Sequence, residues 1–172
     1  MFARSRQRVT GPTLAVRYAE LLTRQGIASD PAQLHAVARL EELRTELIEH
    51  PRAFGFWRRR LLRWMPGRAT LAPPRGIYLW GGVGRGKTYL MDLFFESLPF
   101  PERRRSHFHR FMHDLHVELR RLRHRANPLE VVAHRLARRT RVLCFDEFFV
   151  TDIADAMLLA TLFEGLFRSG VA

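Results

Sequence analysis

Gly81-Gly82-Val83-Gly84-Arg85-Gly86-Lys87-Thr88 has the spacing of a phosphate loop: a Gly, four residues, then Gly-Lys and a hydroxyl residue. Glycine lets the backbone curl so that successive N–H groups converge on one anion, with a helix N-terminus behind them. Lys87 is placed to reach the β- and γ-phosphates of ATP, and the Thr88 hydroxyl to sit on Mg²⁺. Gly81, Gly82, Val83, Gly84, Arg85, Gly86, Lys87 and Thr88 are therefore the candidate nucleotide-binding residues. Composition sharpens the reading: of 29 basic residues, Lys87 is the only lysine. A chain that uses arginine everywhere else keeps a compact ammonium where a phosphate suits it.

A second stretch carries complementary chemistry. In Arg141-Val142-Leu143-Cys144-Phe145-Asp146-Glu147, an apolar run ends in two acids. The run reads as a strand buried on both faces of a parallel sheet. Asp146, at its C-terminal end, is placed to hold Mg²⁺ through water, and Glu147 to polarise the water that attacks the γ-phosphate. The candidate catalytic residues are Glu147 and Lys87. The candidate Mg²⁺ ligands are Thr88 and Asp146. With a single lysine, these residues hold no Asn-Lys-x-Asp base-reading motif of a GTPase. The glutamate favours hydrolysis over small-molecule phosphorylation. His109, His113 and His116 do not form a metal motif, because a strand-to-helix break is expected among them and no Cys or carboxylate cluster joins them.

The elements that position these residues alternate between strand and helix. Strands are expected at 76–80, 106–112 and 141–145, with helices over 89–98, after Met112, over 129–138 and from Asp152 to about Phe167. The fold class is α/β: a P-loop NTPase, AAA+-like parallel sheet flanked by helices, with an N-terminal helical arm. The arm spans 1–29 and carries a short helix from Arg17 to Gln25 that stops at Gly26. A leading helix spans 30–50. Asp30 can cap it, Pro31 suits its first position, and Gln33 completes a capping-box spacing. Leu34, Val37, Leu40, Leu43 and Leu47 form its apolar side. Gln33 is also the candidate contact for the adenine.

Residues 51–75 hold seven arginines and no acid, interleaved with Phe54, Phe56, Trp57 and Trp64. Such an insertion or linker fits a membrane surface or protein partner, a nucleic-acid backbone, or a solvated face. The ATPase core spans 76–172. Val171-Ala172 begins another apolar run, so the core is expected to be incomplete at its C-terminus and the chain to be the N-terminal part of a larger protein.

The single cysteine, Cys144, excludes a disulfide framework, and 172 residues suit one ordinary domain. The formal charge of +12 fits nucleic acid, an anionic surface or an acidic partner. No apolar run approaches the length of a membrane-spanning helix. The Arg-rich, acid-poor N-terminus also fits a mitochondrial targeting peptide.

Leu79-Trp80 through Thr88, Leu90-Met91-Asp92-Leu93-Phe94, His107-Phe108-His109-Arg110-Phe111-Met112 and Leu143 to Val150 together resemble the Afg-one-like family of AAA+-type ATPases. Asp152 to Leu159 continues the likeness, which covers about residues 30 to 172. The resemblance implies a cytoplasmic ATPase that uses ATP and Mg²⁺. Its bacterial cell-division member acts at the division site on the tubulin-like polymer FtsZ, and mitochondrial relatives are linked to protein quality control. The resemblance also implies a homo-oligomer, with sensor residues and an arginine finger beyond Ala172. Two other readings remain: a nucleic-acid-associated ATPase such as a helicase loader, and an adaptor in which ATP only orders the fold.

Overall fold

The computed structural model describes residues 12–26, 28–49 and 74–172. The chain divides into two compact units, Met1–Glu49 with Ile77–Pro99 and His50–Gly76 with Phe100–Ala172. Most of the arginine-aromatic segment, 51–73, and the first eleven residues of the arm lie outside the described residues.

Three helices build the first unit. α1 spans Leu14–Gln25, begins three residues earlier than expected, and ends at Gly26. The Thr13 hydroxyl accepts from the Val16 N–H at 3.3 Å and fixes that start. Leu14 and Tyr18, one turn apart, are buried. α2 spans Pro31–Glu49 and buries Val37, Leu40, Leu43 and Leu47 along one stripe. Each such leucine stabilises the unit by about 1.5–3 kcal/mol. Leu34, expected on that stripe, is instead exposed. Asp30 caps α2 as expected, its Oδ1 accepting from the Ala32 N–H at 2.9 Å. α3 spans Lys87–Ser97 and buries Leu90 and Phe94. α1, α2 and α3 each pack against the other two. Arg44 is buried, yet its charge is met: Nη1 donates to Glu41 at 3.0 Å and Nε to the Ser97 carbonyl at 3.3 Å.

The second unit is α/β. β1, Arg103–His107, lies parallel to β2, Val142–Asp146, in a register that ends with His107 opposite Asp146. α4 (Phe108–Arg121), α5 (Pro128–Arg139) and α6 (Ile153–Arg168) complete it. Phe108, Phe111, Met112, Leu115, Leu162 and Leu166 lie at its core, and the Phe145 and Phe148 rings pack against them. Ala172 donates to the Arg141 carbonyl at 2.9 Å and accepts from the Leu143 N–H at 2.8 Å, the pattern of a further parallel strand beside β2.

Two expected strands are corrected. The strand placed at 106–112 ends at His107, and Phe108 to Met112 is helical. Phe108, Phe111, Met112 and Leu115 recur at helical spacing, and burying that face outweighs the local alternation. At 76–80 no strand forms among the described residues, whose sheet is β1–β2 alone. A parallel strand needs ladder partners and cover on both faces, and here Tyr78 and Trp80 are exposed.

Candidate functional site

The candidate phosphate loop, Gly81 to Thr88, lies in the first unit, between Trp80 and the body of α3. Gly81, Gly84 and Gly86 all take positive φ, and Gly86, at φ 75°, stands at the N-cap of α3. Any other residue type there would be strained. A Cβ on Gly86 would also stand 3.0 Å from Gln33 Nε2, so that amide would have to give by a few tenths of an ångström. Lys87 is the first residue of α3, and its ammonium folds back over the loop to donate to the carbonyls of Gly81 at 2.9 Å and Gly82 at 2.7 Å. Val83 is fully exposed at the tip, and Thr88, in the first turn of α3, is exposed too. The loop thus offers a folded lysine and glycine amides beside a helix N-terminus, a donor set that fits a polyphosphate.

The first turn of α2 grips this loop from one side. Gln33 Nε2 donates to the Arg85 carbonyl at 3.1 Å, and the Arg85 guanidinium pairs with Asp30 at 3.0 Å. Tyr18 of α1 donates its hydroxyl to Gln33 Oε1 at 2.5 Å. Gln33 therefore spends its amide on the loop backbone and on Tyr18, and it does not close the capping box. Sequence reasoning missed Tyr18, whose only signal was its one-turn spacing from Leu14. It also missed that Asp30 serves Arg85 as well as the helix cap.

A cleft of about 300 Å³ opens between α1 and α3, lined by Arg17, Glu20, Leu21, Arg24, Tyr89 and Leu93 among others. Arg17 Nε is buried there with no acceptor among the described residues. Burial pushes the Tyr89 hydroxyl above its ordinary pKa, with Glu96 and Tyr18 adding to the rise.

The acidic pair lies in the second unit. Asp146 ends β2, and its Oδ2 takes the Arg105 guanidinium at 3.3 Å. Its Oδ1 accepts the N–H of Glu147 at 3.1 Å. Glu147 is exposed and sits at φ 54°, a left-handed conformation that costs a non-glycine residue about 1–2 kcal/mol. Strain of this kind concentrates at functional positions. Among the described residues no group of three or more His, Cys, Asp and Glu gathers as a metal site. His116 instead meets Asp155 at 2.7 Å, tying α4 to α6. A Mg²⁺ that arrives with phosphates needs only one or two protein oxygens beside them.

Residues 12–172 match the sequence model of the AFG1-like ATPase family. The chain belongs to the AFG1-like ATPase family. This AFG1-like chain is 48% identical to the cell division protein ZapE of Escherichia coli strain K12 over 160 residues, which cover 90% of this chain and 43% of that protein. It is 44% identical over 110 residues to lactation elevated protein 1 homolog B of Danio rerio, covering 58% of this chain and 22% of that protein. A protein of Schizosaccharomyces pombe described as uncharacterized is 48% identical over 104 residues, covering 57% of this chain and 23% of that protein. The AFG1-like chain thus spans less than half the length of these relatives. No solved structure matches it. Among the described residues no helix is long and apolar enough to cross a membrane.

Proposed function

We propose that this chain forms the nucleotide-binding part of a Mg²⁺-dependent ATPase with an AAA+-like P-loop core. The observation that carries the reading is the phosphate loop: Lys87 Nζ is folded over the carbonyls of Gly81 and Gly82, beside a positive-φ glycine at a helix N-terminus. In this reading Gly81 to Thr88 cradle the phosphates, and Lys87 moves from the loop carbonyls to the β- and γ-phosphates. Thr88 and Asp146 would each offer an oxygen to Mg²⁺, which when bound would neutralise charge on the phosphates. Glu147 accepts a proton from the attacking water.

The domain division follows the same logic: an arm over 1–29, a leading helix over 30–50, the arginine-aromatic segment over 51–75, and the core from 76 onward. Likeness to a cell division protein over most of the chain supports a role in division. We assign to the whole protein an action on the tubulin-like polymer FtsZ, from the cytoplasm and at the division site, as a homo-oligomer.

The test is ATP turnover by the full-length protein. Glu147→Gln should retain bound ATP and lose turnover. Turnover equal to wild type would remove Glu147 from the chemistry.

The exposed Arg120 and Arg121 at the end of α4, with Arg123 and Arg125 just beyond it, favour a second reading, in which the ATPase works on nucleic acid. Single-strand binding that weakens steeply with salt would support it.

A further inference from the structure

We infer that Gln33, held by Tyr18, is a positioning residue for the phosphate loop: it acts through the Arg85 carbonyl and touches no part of the nucleotide. The inference rests on the phosphate-loop reading above.

The geometry starts from one peptide unit. Gln33 Nε2 donates to the Arg85 carbonyl at 3.1 Å. In a planar trans peptide, C=O and N–H point in opposite directions. Holding the Arg85 carbonyl toward α2 therefore turns the Gly86 N–H away from α2. That amide is one of the loop donors a phosphate needs. Without the strut, a glycine-rich loop has many orientations of this peptide open to it, because glycine populates positive and negative φ about equally. The strut removes that freedom before the ligand arrives, which lowers the ordering cost of binding.

Three further observations support a built device. The first is close approach: a Cβ on Gly86 would meet Gln33 Nε2 at 3.0 Å, so the loop and the amide sit closer together than most side chains at position 86 would leave undisturbed. The second is that Gln33 has its other end fixed. Its Oε1 accepts from the Tyr18 hydroxyl at 2.5 Å, and Tyr18 is almost fully buried in α1, so the amide cannot swing freely. The third is that the same loop residue is held twice, since the Arg85 side chain pairs with Asp30 at the cap of α2. Arg85 is exposed, so the pair contributes little energy by itself. Its effect is to keep Arg85 beside the first turn of α2. A chain of contacts thus runs from α1 through Tyr18 and Gln33 to the loop backbone.

Base recognition and loop positioning predict different ligand profiles. A residue that reads adenine matters for ATP and not for a ligand without a base. A residue that positions the loop matters equally for both. The experiment measures binding of ATP and of inorganic tripolyphosphate, with Mg²⁺, by calorimetry on the full chain. The chains compared are wild type, Gln33→Ala, Tyr18→Phe, the double variant and Lys87→Ala. Losing one such hydrogen bond should weaken both ligands alike in Gln33→Ala, by about tenfold. Tyr18→Phe keeps the ring volume and removes one hydroxyl, so it remains folded and informative should Gln33→Ala be unstable. It should weaken both ligands in the same direction and by less. The double variant should bind no more weakly than Gln33→Ala alone, because the two residues act along one path.

A loss confined to ATP, or no loss for either ligand, would overturn the inference while leaving the phosphate loop in place. Full additivity in the double variant would break the relay from Tyr18. Wild-type affinity in Lys87→Ala would overturn the nucleotide reading, and the positioning role with it.

Discussion

Arg105 of β1 reaches Asp146 of β2 at 3.3 Å. In the ladder Arg105 stands opposite Cys144 and Asp146 opposite His107, so the two meet on the diagonal, on one face of the sheet. The carboxylate assigned to Mg²⁺ therefore starts out beside a fixed positive charge, which competes with the metal. Arg105→Ala should lower the Mg²⁺ concentration that supports nucleotide binding by roughly two- to fivefold, the scale of a partly exposed pair. A Mg²⁺ titration of ATP binding checks this. A higher Mg²⁺ requirement would mean that Arg105 orients Asp146 instead.

Glu147 carries backbone strain at the position assigned to the attacking water. Its φ of 54° is one that glycine adopts at little cost. Glu147→Gly should therefore leave thermal stability unchanged or raise it by up to about 1 kcal/mol, while abolishing ATP turnover. A clear fall in melting temperature would show that the side chain stabilises the fold, against its exposed setting.

Gly86→Ala should do the reverse. It strains a left-handed position, and its methyl meets Gln33 Nε2 at 3.0 Å. We expect a loss of about 1–2 kcal/mol in stability together with weaker ATP binding. Thermal unfolding and a binding titration on the same sample give both numbers.

Gly165 tests packing away from the site. It lies on α6 where a Cβ would stand 2.9 Å from the Ala133 methyl of α5. Gly165→Ala should cost about 1–3 kcal/mol by overpacking, despite the better helix propensity of alanine. Leu162→Ala, at a side chain with no exposed surface, should cost about 2–5 kcal/mol by leaving a cavity. Denaturant unfolding reports both.

The candidate site residues, Gly81 to Thr88 and the run into Asp146 and Glu147, are proposed from residue types and spacing alone; what the structure adds is that Gly81, Gly84 and Gly86 take positive φ and that Asp146 ends β2. α2, α3, α5 and α6 were legible from caps and helical stripes, as at Asp30 and Asp152. β1 was not. Its residues, Arg103 to His107, are half-exposed and basic, so no apolar pattern marks them. The neighbouring His107 to Met112 alternates like a strand, yet it carries the helical face that the core needs. Tyr18 and the strut at Gln33 were illegible because they depend on which helix lies beside the loop. Local spacing does not encode that. The seven-arginine segment contributes nothing to this comparison, since residues 51–73 fall outside the described chain.

The most direct test of the central claim is binding of a fluorescent ATP analogue with Mg²⁺, comparing the full chain with Lys87→Ala after circular dichroism has shown both to be folded. Saturable binding by wild type that is lost in Lys87→Ala is the predicted result. Equal binding by both, or none by a folded wild-type chain of full length, would contradict it.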